Sequence, residues 1–238
     1  MRPKIICHMM STVDGRLITE RWTPPFDGKK MEELFNPYFT VSEEFNAQGF
    51  IIGRKTAHDY PECGEFDYEK YPSATSATET FIGKRETPRS VIILDPKGKI
   101  AYPGDKLDGE NVIAILGEQV SGEYLAHLRA KGVSYLFAGT DGQDLEKAIH
   151  TLNETFGMNT LLLEGGGVVN GAFLKAGLID ELSLLIYPGI DGLAGMPTIF
   201  EYHGKTDEQP AQGQSLELIS TRSLTDGIFQ LCYKFHKG

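Results

Sequence analysis

Short apolar runs rich in β-branched and aromatic residues recur along the 238-residue chain and alternate with segments of helical periodicity. Several of the middle runs are apolar throughout, which is typical of strands covered by helices on both faces. Because strand–helix–strand alternation builds a parallel sheet, the pattern predicts a three-layer α/β/α fold. The predicted strands are Lys4–Met10, Gly49–Ile52, Ser90–Leu94, Asn111–Leu116, Val133–Phe137, Thr160–Leu163, Glu181–Tyr187, Leu216–Thr221 and Ile228–Phe235.

The spacers between these runs complete the predicted architecture. Helical patterns occupy Gly28–Phe39, Ser121–Ala130, Asp144–Phe156 and Val168–Ala176. Pro37 is expected to end or kink the first of them, because proline cannot donate a helical hydrogen bond. An Asp-Gly turn within Arg222–Gly227 predicts that the last two strands form an antiparallel hairpin. The expected fold is therefore a mixed, mostly parallel sheet that ends in an antiparallel C-terminal hairpin.

The segment Tyr60–Pro88 has no sustained period and is predicted to be a long loop or insertion. Nothing else resembles a linker, so we expect one domain over residues 1–238. The balance of 23 basic against 33 acidic residues gives a net charge of −10, which disfavours nucleic acid and anionic membrane surfaces as partners. A few local cations can still hold an anionic cofactor.

The cysteines are few and widely separated, which favours neither a disulfide framework nor a metal site; they are Cys7, Cys63 and Cys232. The first apolar run, from Ile5 to Met10, is too short for a signal sequence or a membrane span. The chain is therefore expected to be cytoplasmic, with no bound metal.

The strongest chemical signal is Thr160–Gly171, in which an apolar strand runs into three consecutive glycines and then a helix. Without Cβ atoms, the backbone of Gly165, Gly166 and Gly167 can turn sharply and let a ligand approach closely. The helix that begins near Val168 offers unpaired N–H groups and a partial positive charge, which suit a pyrophosphate. A tight strand–helix turn with no ligand explains the same glycines, so both interpretations stay open.

A second strand ends at Gly53 and is followed by Arg54, Lys55 and Thr56. The two cations can neutralise phosphate, and the threonine hydroxyl can cap a helix while donating to the ligand. An ordinary capped helix with solvated cations is the alternative. Two glycine-ended strands in one sheet favour a dinucleotide site more than either strand alone.

After the strand Ser90–Leu94 come Asp95, Lys97 and Lys99, and the lysines are placed to attract a 2′-phosphate. This placement favours NADP over NAD, although an exposed turn explains the same lysines. Asp14 follows the first strand and begins an Asp-Gly turn. Its carboxylate can accept hydrogen bonds from the N–H or amino groups of a nitrogen heterocycle.

Four motifs, in order and spacing, resemble the reductase domain of riboflavin biosynthesis, which is also the C-terminal half of the bifunctional deaminase-reductase. They are residues 10–16 (MSTVDGR), 52–56 (IGRKT), 163–167 (LEGGG) and 178–182 (LIDEL). The segment after Gly53 is also similar to the cofactor segment of dihydrofolate reductase, which shares the fold. The resemblance implies NADPH-dependent reduction of a ribosylamino to a ribitylamino group, a homodimer, and Asp14 and Glu164 on the substrate side.

The chain departs from that family at Tyr60, where the family has an acidic residue, and in the acidic insertion Cys63–Tyr71. These departures leave the basic phosphate clamp, and with it the substrate, open. No His-x-Glu with a Pro-Cys-x-x-Cys zinc site is present in the sequence, so a deaminase domain is not expected.

We expect hydride transfer from nicotinamide C4 to an electrophilic C=N or C=O carbon, with Asp14 or Glu164 as the candidate proton source besides water. A pterin-type reductase is an alternative, and it would need a buried acid such as Asp27, Glu32 or Glu33. The non-enzymatic alternative is a module that binds NADP but catalyses no reaction.

Overall fold

The computed structural model describes residues 1–68 and 78–238, and these divide into two compact units. The first unit contains Met1–Pro3 and Gln48–Leu161, and the second contains Lys4–Ala47 and Leu162–Gly238. The expectation of one domain over residues 1–238 stays a prediction. The part of the predicted loop at residues 69–77, with its serine- and threonine-rich centre, lies outside the described residues.

The strands and helices agree closely with the periodic segments of the sequence. The strands are β1 (Lys4–Thr12), β2 (Gly49–Gly53), β3 (Gly64–Glu65), β4 (Ser90–Leu94), β5 (Ile100–Ala101), β6 (Lys106–Leu107), β7 (Glu110–Leu116), β8 (Ser134–Phe137), β9 (Thr160–Gly165), β10 (Glu181–Tyr187), β11 (Gln214–Ser223) and β12 (Phe229–Lys237). The helices are α1 (Asn36–Glu44), α2 (Arg54–Ala57), α3 (Gly122–Lys131), α4 (Leu145–Glu154) and α5 (Gly167–Lys175). Short 3-10 turns occupy Thr19–Arg21, Met31–Phe35 and Thr225–Gly227.

The first unit is built on parallel strands in the order β2, β4, β7 and β8. Every residue of β4 is buried, and so are all but the first of β7. This burial confirms the interpretation of uninterrupted apolar runs as strands with two covered faces. Two short antiparallel ladders, β6 with β7 and β3 with β5, complete the strand pairing of the described part of the unit.

The two long helices of the first unit begin where their sequence signals predict. Ser121 Oγ accepts a hydrogen bond from Tyr124 N at 3.2 Å, and Gly132 closes the helix at a φ of 74°. Asp144 Oδ1 accepts from Lys147 N at 3.0 Å at the start of α4. Such caps satisfy amides and carbonyls that a helix end otherwise leaves unpaired.

The second unit has a mixed sheet in the order β11, β12, β10, β1 and β9. β1 and β10 are parallel and in register from Ile6 opposite Glu181 to Thr12 opposite Tyr187. β12 pairs antiparallel with both β10 and β11, which confirms the predicted C-terminal hairpin. The hairpin turn places Asp226 and Gly227 at φ values of 60° and 72°, conformations that Asp and Gly tolerate best.

Pro37 is the clearest error of the sequence-based prediction in this unit. The proline does not end the helix; it lies in the first turn of α1, directly after the 3-10 turn Met31–Phe35. The first turn of a helix tolerates proline because the N–H that proline lacks has no helical acceptor there. The residues around Pro37 are helical as predicted, but the proline marks the start of α1 rather than the end of a helix.

The described ends of the predicted loop Tyr60–Pro88 are irregular apart from the two-residue strand β3, and they are firmly attached to the first unit. Phe66 is buried and donates its amide to Lys99 O at 2.8 Å. Phe81 pairs with Tyr135 of β8 through two backbone hydrogen bonds of 3.0 Å. Gly83 N donates to Ser134 Oγ at 3.0 Å. These contacts give the described residues fixed positions despite the lack of regular structure.

A buried polar network crosses the second unit and is centred on His8 of β1, which has no exposed surface. Its Nε2 lies 3.1 Å from Tyr38 O, and its Nδ1 lies 3.1 Å from Ser183 Oγ. Since Tyr38 O can only accept, Nε2 carries the proton and Nδ1 accepts from the serine. Gln230 Nε2 donates to the same serine at 2.8 Å, and Arg222 Nε donates to Gln230 Oε1 at 2.9 Å. The burial of the ring, which outweighs the opposite effect of these bonds, favours a neutral imidazole.

The neutral state of His8 predicts a pH-dependent stability. Burial lowers the pKa of His8 from 6.5 to about 4. The unfolded chain therefore binds a proton first, and the stabilisation is complete above pH 6.5 and is lost as the pH falls through 4. The loss is on the order of 3 kcal/mol. Urea unfolding over this pH range should show a shallower decline in His8→Gln than in wild type.

His203→Gln removes an exposed histidine instead and serves as the matched control. It should retain the wild-type decline in unfolding free energy. Parallel pH profiles for His8→Gln and wild type would contradict the buried neutral assignment.

Candidate functional site

The carboxyl ends of β1 and β10 carry two loops that meet at Asp14. Thr12 Oγ1 donates to Asp14 Oδ1 at 2.6 Å, and the backbone amides of Asp191 and Gly192 donate to the carboxylate at 3.3 and 2.8 Å. Gly15 follows at a φ of 75° and donates its amide to Thr12 O at 2.9 Å, which confirms the predicted Asp-Gly turn. Asp14 thus ties the loop after β1 to the loop after β10.

These donors hold Asp14 in its charged form. The hydrogen bond from Thr12, followed by that from the amide of Gly192, lowers the pKa of Asp14 to about 2. At neutral pH such a carboxylate accepts hydrogen bonds and has almost no proton to give. Its predicted catalytic role stays a prediction, and the low pKa favours the acceptor role that sequence analysis also assigned to it.

The glycine corner, which we define as Gly165–Gly167, joins β9 to α5. Gly165 has a φ of 78°, in the region that favours glycine, and Gly166 is the N-cap residue of α5. Because Gly166 has no side chain, the N-cap residue itself does not cap α5. Val168 follows with 44% of its surface exposed, and Glu164 precedes the corner in a half-buried position. The residues predicted to bind a pyrophosphate therefore include the start of a helix.

Gly167 has a different reason to be glycine. A Cβ atom there would lie 2.1 Å from Thr198 O, and one at Gly171, a turn later, would lie 1.9 Å from Glu201 O. Glu201 N donates to Gly167 O at 2.9 Å, and Asn170 Nδ2 donates to Ile199 O at 2.9 Å. The chain's own segment 198–201 thus occupies this face of α5. Sequence analysis missed this contact, although glycines four positions apart on a helix are a signal for close backbone packing.

The first unit holds the other predicted cofactor residues. Gly53 is buried at the end of β2 and is the N-cap residue of α2. The predicted capping role of Thr56 is wrong, because Thr56 is the third residue of α2. Lys55 is exposed, and Arg54 lies 4.0 Å from Glu65 Oε1 in an exposed ion pair. Both cations remain accessible to an anion.

Asp95 is fully buried, so its side chain does not face a ligand directly. Its Oδ2 accepts from Ile100 N at 2.9 Å and lies 3.0 Å from the Tyr124 hydroxyl, while its carbonyl accepts from Gly98 N at 2.9 Å. Asp95 therefore shapes the turn that carries Lys97. Its predicted part in cofactor binding can act only through that turn.

The turn lines a cavity of about 400 Å³ at the carboxyl ends of β4, β7 and β8. Lys99 Nζ lies 5.1 Å from the centre of the Tyr68 ring, and Ser121 at the start of α3 faces the same space. Parallel sheets bind ligands at this edge. The lining residues are Tyr68, Pro96, Lys97, Lys99, Gln119, Val120, Ser121, Thr140 and Asp141. Two cations and several hydroxyl or amide groups make the cavity suitable for a phosphate-bearing ligand.

A second cavity, of about 260 Å³, lies in the second unit between the loop after β1 and the C-terminal hairpin turn. Asp27 and Asp226 line it, and Lys29 forms ion pairs with both. Asp27, Glu32 and Glu33 are all exposed. None of the three therefore provides the buried acid that the pterin-reductase alternative requires.

Across residues 1–68 and 78–238, no helix combines the length and apolarity needed to cross a membrane. The same ranges contain no group of three or more His, Cys, Asp or Glu side chains arranged to hold a metal ion.

The packing of segment 198–201 predicts that Gly167→Ala and Gly171→Ala destabilise the chain without any ligand present. Each new methyl group meets a backbone oxygen, so we expect the free energy of unfolding to fall by about 1–3 kcal/mol or more. Gly104→Ala is the matched control, because a Cβ there meets nothing within 4 Å. Chemical unfolding that ranks Gly167→Ala with Gly104→Ala would contradict the assignment.

Comparison with known proteins places this arrangement in a family. The family model described as the RibD C-terminal domain matches residues 3–229. The 2,5-diamino-6-ribosylamino-4(3H)-pyrimidinone 5′-phosphate reductase of Methanothermobacter thermautotrophicus is 27% identical over 229 residues, which cover 96% of both chains. The riboflavin biosynthesis protein RibD of Aquifex aeolicus is 26% identical over 196 residues, which cover 80% of this chain and 48% of that protein.

A crystal structure of a pyrimidine reductase-like protein from Corynebacterium diphtheriae has the same fold. Its TM-score is 0.66 at 16% identity, over 99% of this chain and 93% of that one. The predicted mixed sheet of the dihydrofolate-reductase-like class is confirmed, and so is the resemblance based on four motifs. The chain belongs to the RibD C-terminal domain family.

Proposed function

We propose that the chain is an NADPH-dependent reductase that transfers a hydride to a small aminopyrimidine or ribosylamino substrate. The family match over residues 3–229 supports the reductase class, and the relative from Methanothermobacter thermautotrophicus is named for reduction of such a pyrimidinone phosphate. The observation that carries the proposal is the glycine corner, where Gly165 has a φ of 78° and Gly166 is the N-cap residue of α5.

NADPH, when bound, supplies the hydride from C4 of its nicotinamide. In the second unit, the backbone of Gly165 and Gly166 and the start of α5 at Val168 would hold its pyrophosphate. In the first unit, Gly53 ends β2, and the hydroxyl and cationic side chains of residues 54–56 that follow it suit a phosphate group. The fit is chemical, because the amides at a helix N-terminus suit oxyanions.

The lysine-lined cavity supports NADPH over NADH. Lys97 and Lys99 place two positive charges beside one cavity, although the chain as a whole has a net charge of −10. Such a cluster favours an extra phosphate through charge-assisted hydrogen bonds. Exposed turn lysines without a ligand are the alternative, and nucleotide preference distinguishes the two.

Glu164 is the stronger candidate of the two predicted acids for delivering a proton. Hydride addition leaves negative charge on nitrogen or oxygen, so a proton must follow. Asp14, with a pKa of about 2, is ionised and better suited to accept hydrogen bonds from a ring N–H or an amino group. In this proposal Asp14 orients the substrate, and Glu164 or water protonates it.

The assembly is proposed to be a cytoplasmic homodimer. β11 is exposed along nearly its whole length and lies at the edge of its sheet, with Leu216, Leu218 and Ile219 each about half exposed. Exposed apolar edge strands are usually covered in the working protein. The three cysteines are free thiols, which suits a reducing compartment.

The proposal is tested by nucleotide binding and turnover with the full chain. We expect NADPH to raise the melting temperature more than NADH does, because binding to the folded state alone stabilises it. We also expect loss of NADPH absorbance with an aminopyrimidine ribosylamino phosphate, and not with dihydrofolate. Turnover of dihydrofolate alone would favour the pterin reductase, and binding without turnover of any pterin, aminopyrimidine or carbonyl compound would favour a silent module.

The double variant Lys97→Gln/Lys99→Gln should bring the NADPH shift down to that of NADH. Lys205→Gln, which removes an exposed lysine elsewhere, is the matched control and should retain the preference. A wild-type shift that is larger with NADH would contradict the role of the lysine-lined cavity.

A further inference from the structure

The loops that follow β1 and β10 are joined by an ion pair that the proposed reductase site does not include. Arg21 Nε and Nη2 donate to the two carboxylate oxygens of Asp191, each at 2.8 Å. The Asp191 side chain has no exposed surface, whereas 39% of the Arg21 side chain is exposed. Two parallel charge-assisted hydrogen bonds fix direction as well as distance.

Backbone hydrogen bonds on both sides of Asp191 continue this connection. Thr23 N donates to Ile190 O at 3.1 Å, and Ile190 N donates to Thr23 Oγ1 at 3.0 Å. On the other side, Gly192 N donates to Asp14 Oδ2 at 2.8 Å. Asp191 therefore lies between two residues that are themselves bonded to the loop after β1.

The segment after Asp191 leads to the glycine corner. Arg16 Nη1 donates to Met196 O at 2.8 Å, and Arg16 pairs with Thr198 in an antiparallel bridge. Thr198 O is the atom that lies against Gly167. A displacement at Asp191 would therefore be transmitted to Asp14, which is predicted to contact the substrate. It would also be transmitted to the glycine corner, which is predicted to bind the pyrophosphate.

Arg21 also separates two negative charges. The guanidinium of Arg21 lowers the pKa of Asp191, while the nearby charge of Asp14 acts in the opposite direction. Without Arg21, two neighbouring carboxylates would share one group of backbone amides. Their repulsion would move the loops apart.

We propose that Arg21 and Asp191 are positioning residues of the reductase: their ion pair fixes the two loops that carry Asp14 and contact the glycine corner. The inference rests on the proposed function. Neither side chain touches the reacting atoms, and both act through the backbone of residues 189–198. The pair is expected to matter for binding and turnover far more than for global stability.

The chain contains a matched control for this pair. Arg222 Nη1 and Nη2 donate to the two oxygens of Glu44 at 3.1 and 2.9 Å, so the geometry is also bidentate. Their side chains are 42% and 50% exposed. Arg222→Gln thus removes a bidentate ion pair from the same unit, together with the Arg222 Nε bond to Gln230, and leaves the hydrogen bonds of the two loops in place.

The test measures kcat, KM for NADPH and melting temperature for Arg21→Gln, Arg21→Lys, Asp191→Asn and Arg222→Gln. We expect kcat/KM to fall by about tenfold to a hundredfold in Arg21→Gln and Asp191→Asn, because small misplacements have effects of this size. Arg21→Lys should recover part of the loss, since it retains the charge without the bidentate geometry. Arg222→Gln should retain the wild-type kcat/KM.

Amide hydrogen exchange separates this inference from the proposed function. Gly192 N–H should exchange faster in Arg21→Gln than in Arg222→Gln, whether or not any substrate is reduced. Absence of reductase activity in wild type would defeat the proposed function and leave exchange to decide the positioning role. Equal exchange in the two variants, or an equal loss of kcat/KM in both, would overturn it. If Arg21→Gln does not fold, Arg21→Lys and Asp191→Asn carry the same comparison.

Discussion

The Asp14 carboxylate is the interaction on which the proposed site depends. It accepts from Thr12 on its own strand and from the amides of Asp191 and Gly192 on the neighbouring loop. β1 and β10 are parallel, so their loops leave the same edge of the sheet. Asp14 holds the two loops together, and it must be ionised to accept all of these hydrogen bonds at full strength. A neutral side chain would lose the charge-assisted part of these bonds.

The glycines after β9 divide two tasks between them. Gly165 supplies a φ of 78° that turns the chain, whereas Gly167 provides room for Thr198 O. Only the first task bears on the pyrophosphate site that we propose. The second ties α5 to the segment that begins at the loop held by Asp14. Structural and functional reasons for glycine are therefore adjacent in one motif, and substitution at each position should affect a different property.

Local signals in the sequence predicted most of the fold and part of the site. The apolar runs, the helical segments that begin at Ser121 and Asp144, and the C-terminal hairpin depend on neighbouring residues, and the structure confirms them. Thr56 was misplaced because α2 begins about one turn earlier than expected, and Pro37 was misplaced because α1 begins at Asn36 rather than at Gly28. The Arg21–Asp191 pair could not be predicted, since its partners lie 170 positions apart and no pattern marks them.

The role of Asp14 decides between a carboxylate that organises loops and one that delivers protons. The most direct measurement is an NMR titration of its side-chain carboxyl carbon in the folded chain. The account predicts a pKa of about 2, well below the ordinary value of 3.8. A pKa at or above 3.8 would mean that the donors from Thr12 and Gly192 do not hold this carboxylate, and the account would be wrong.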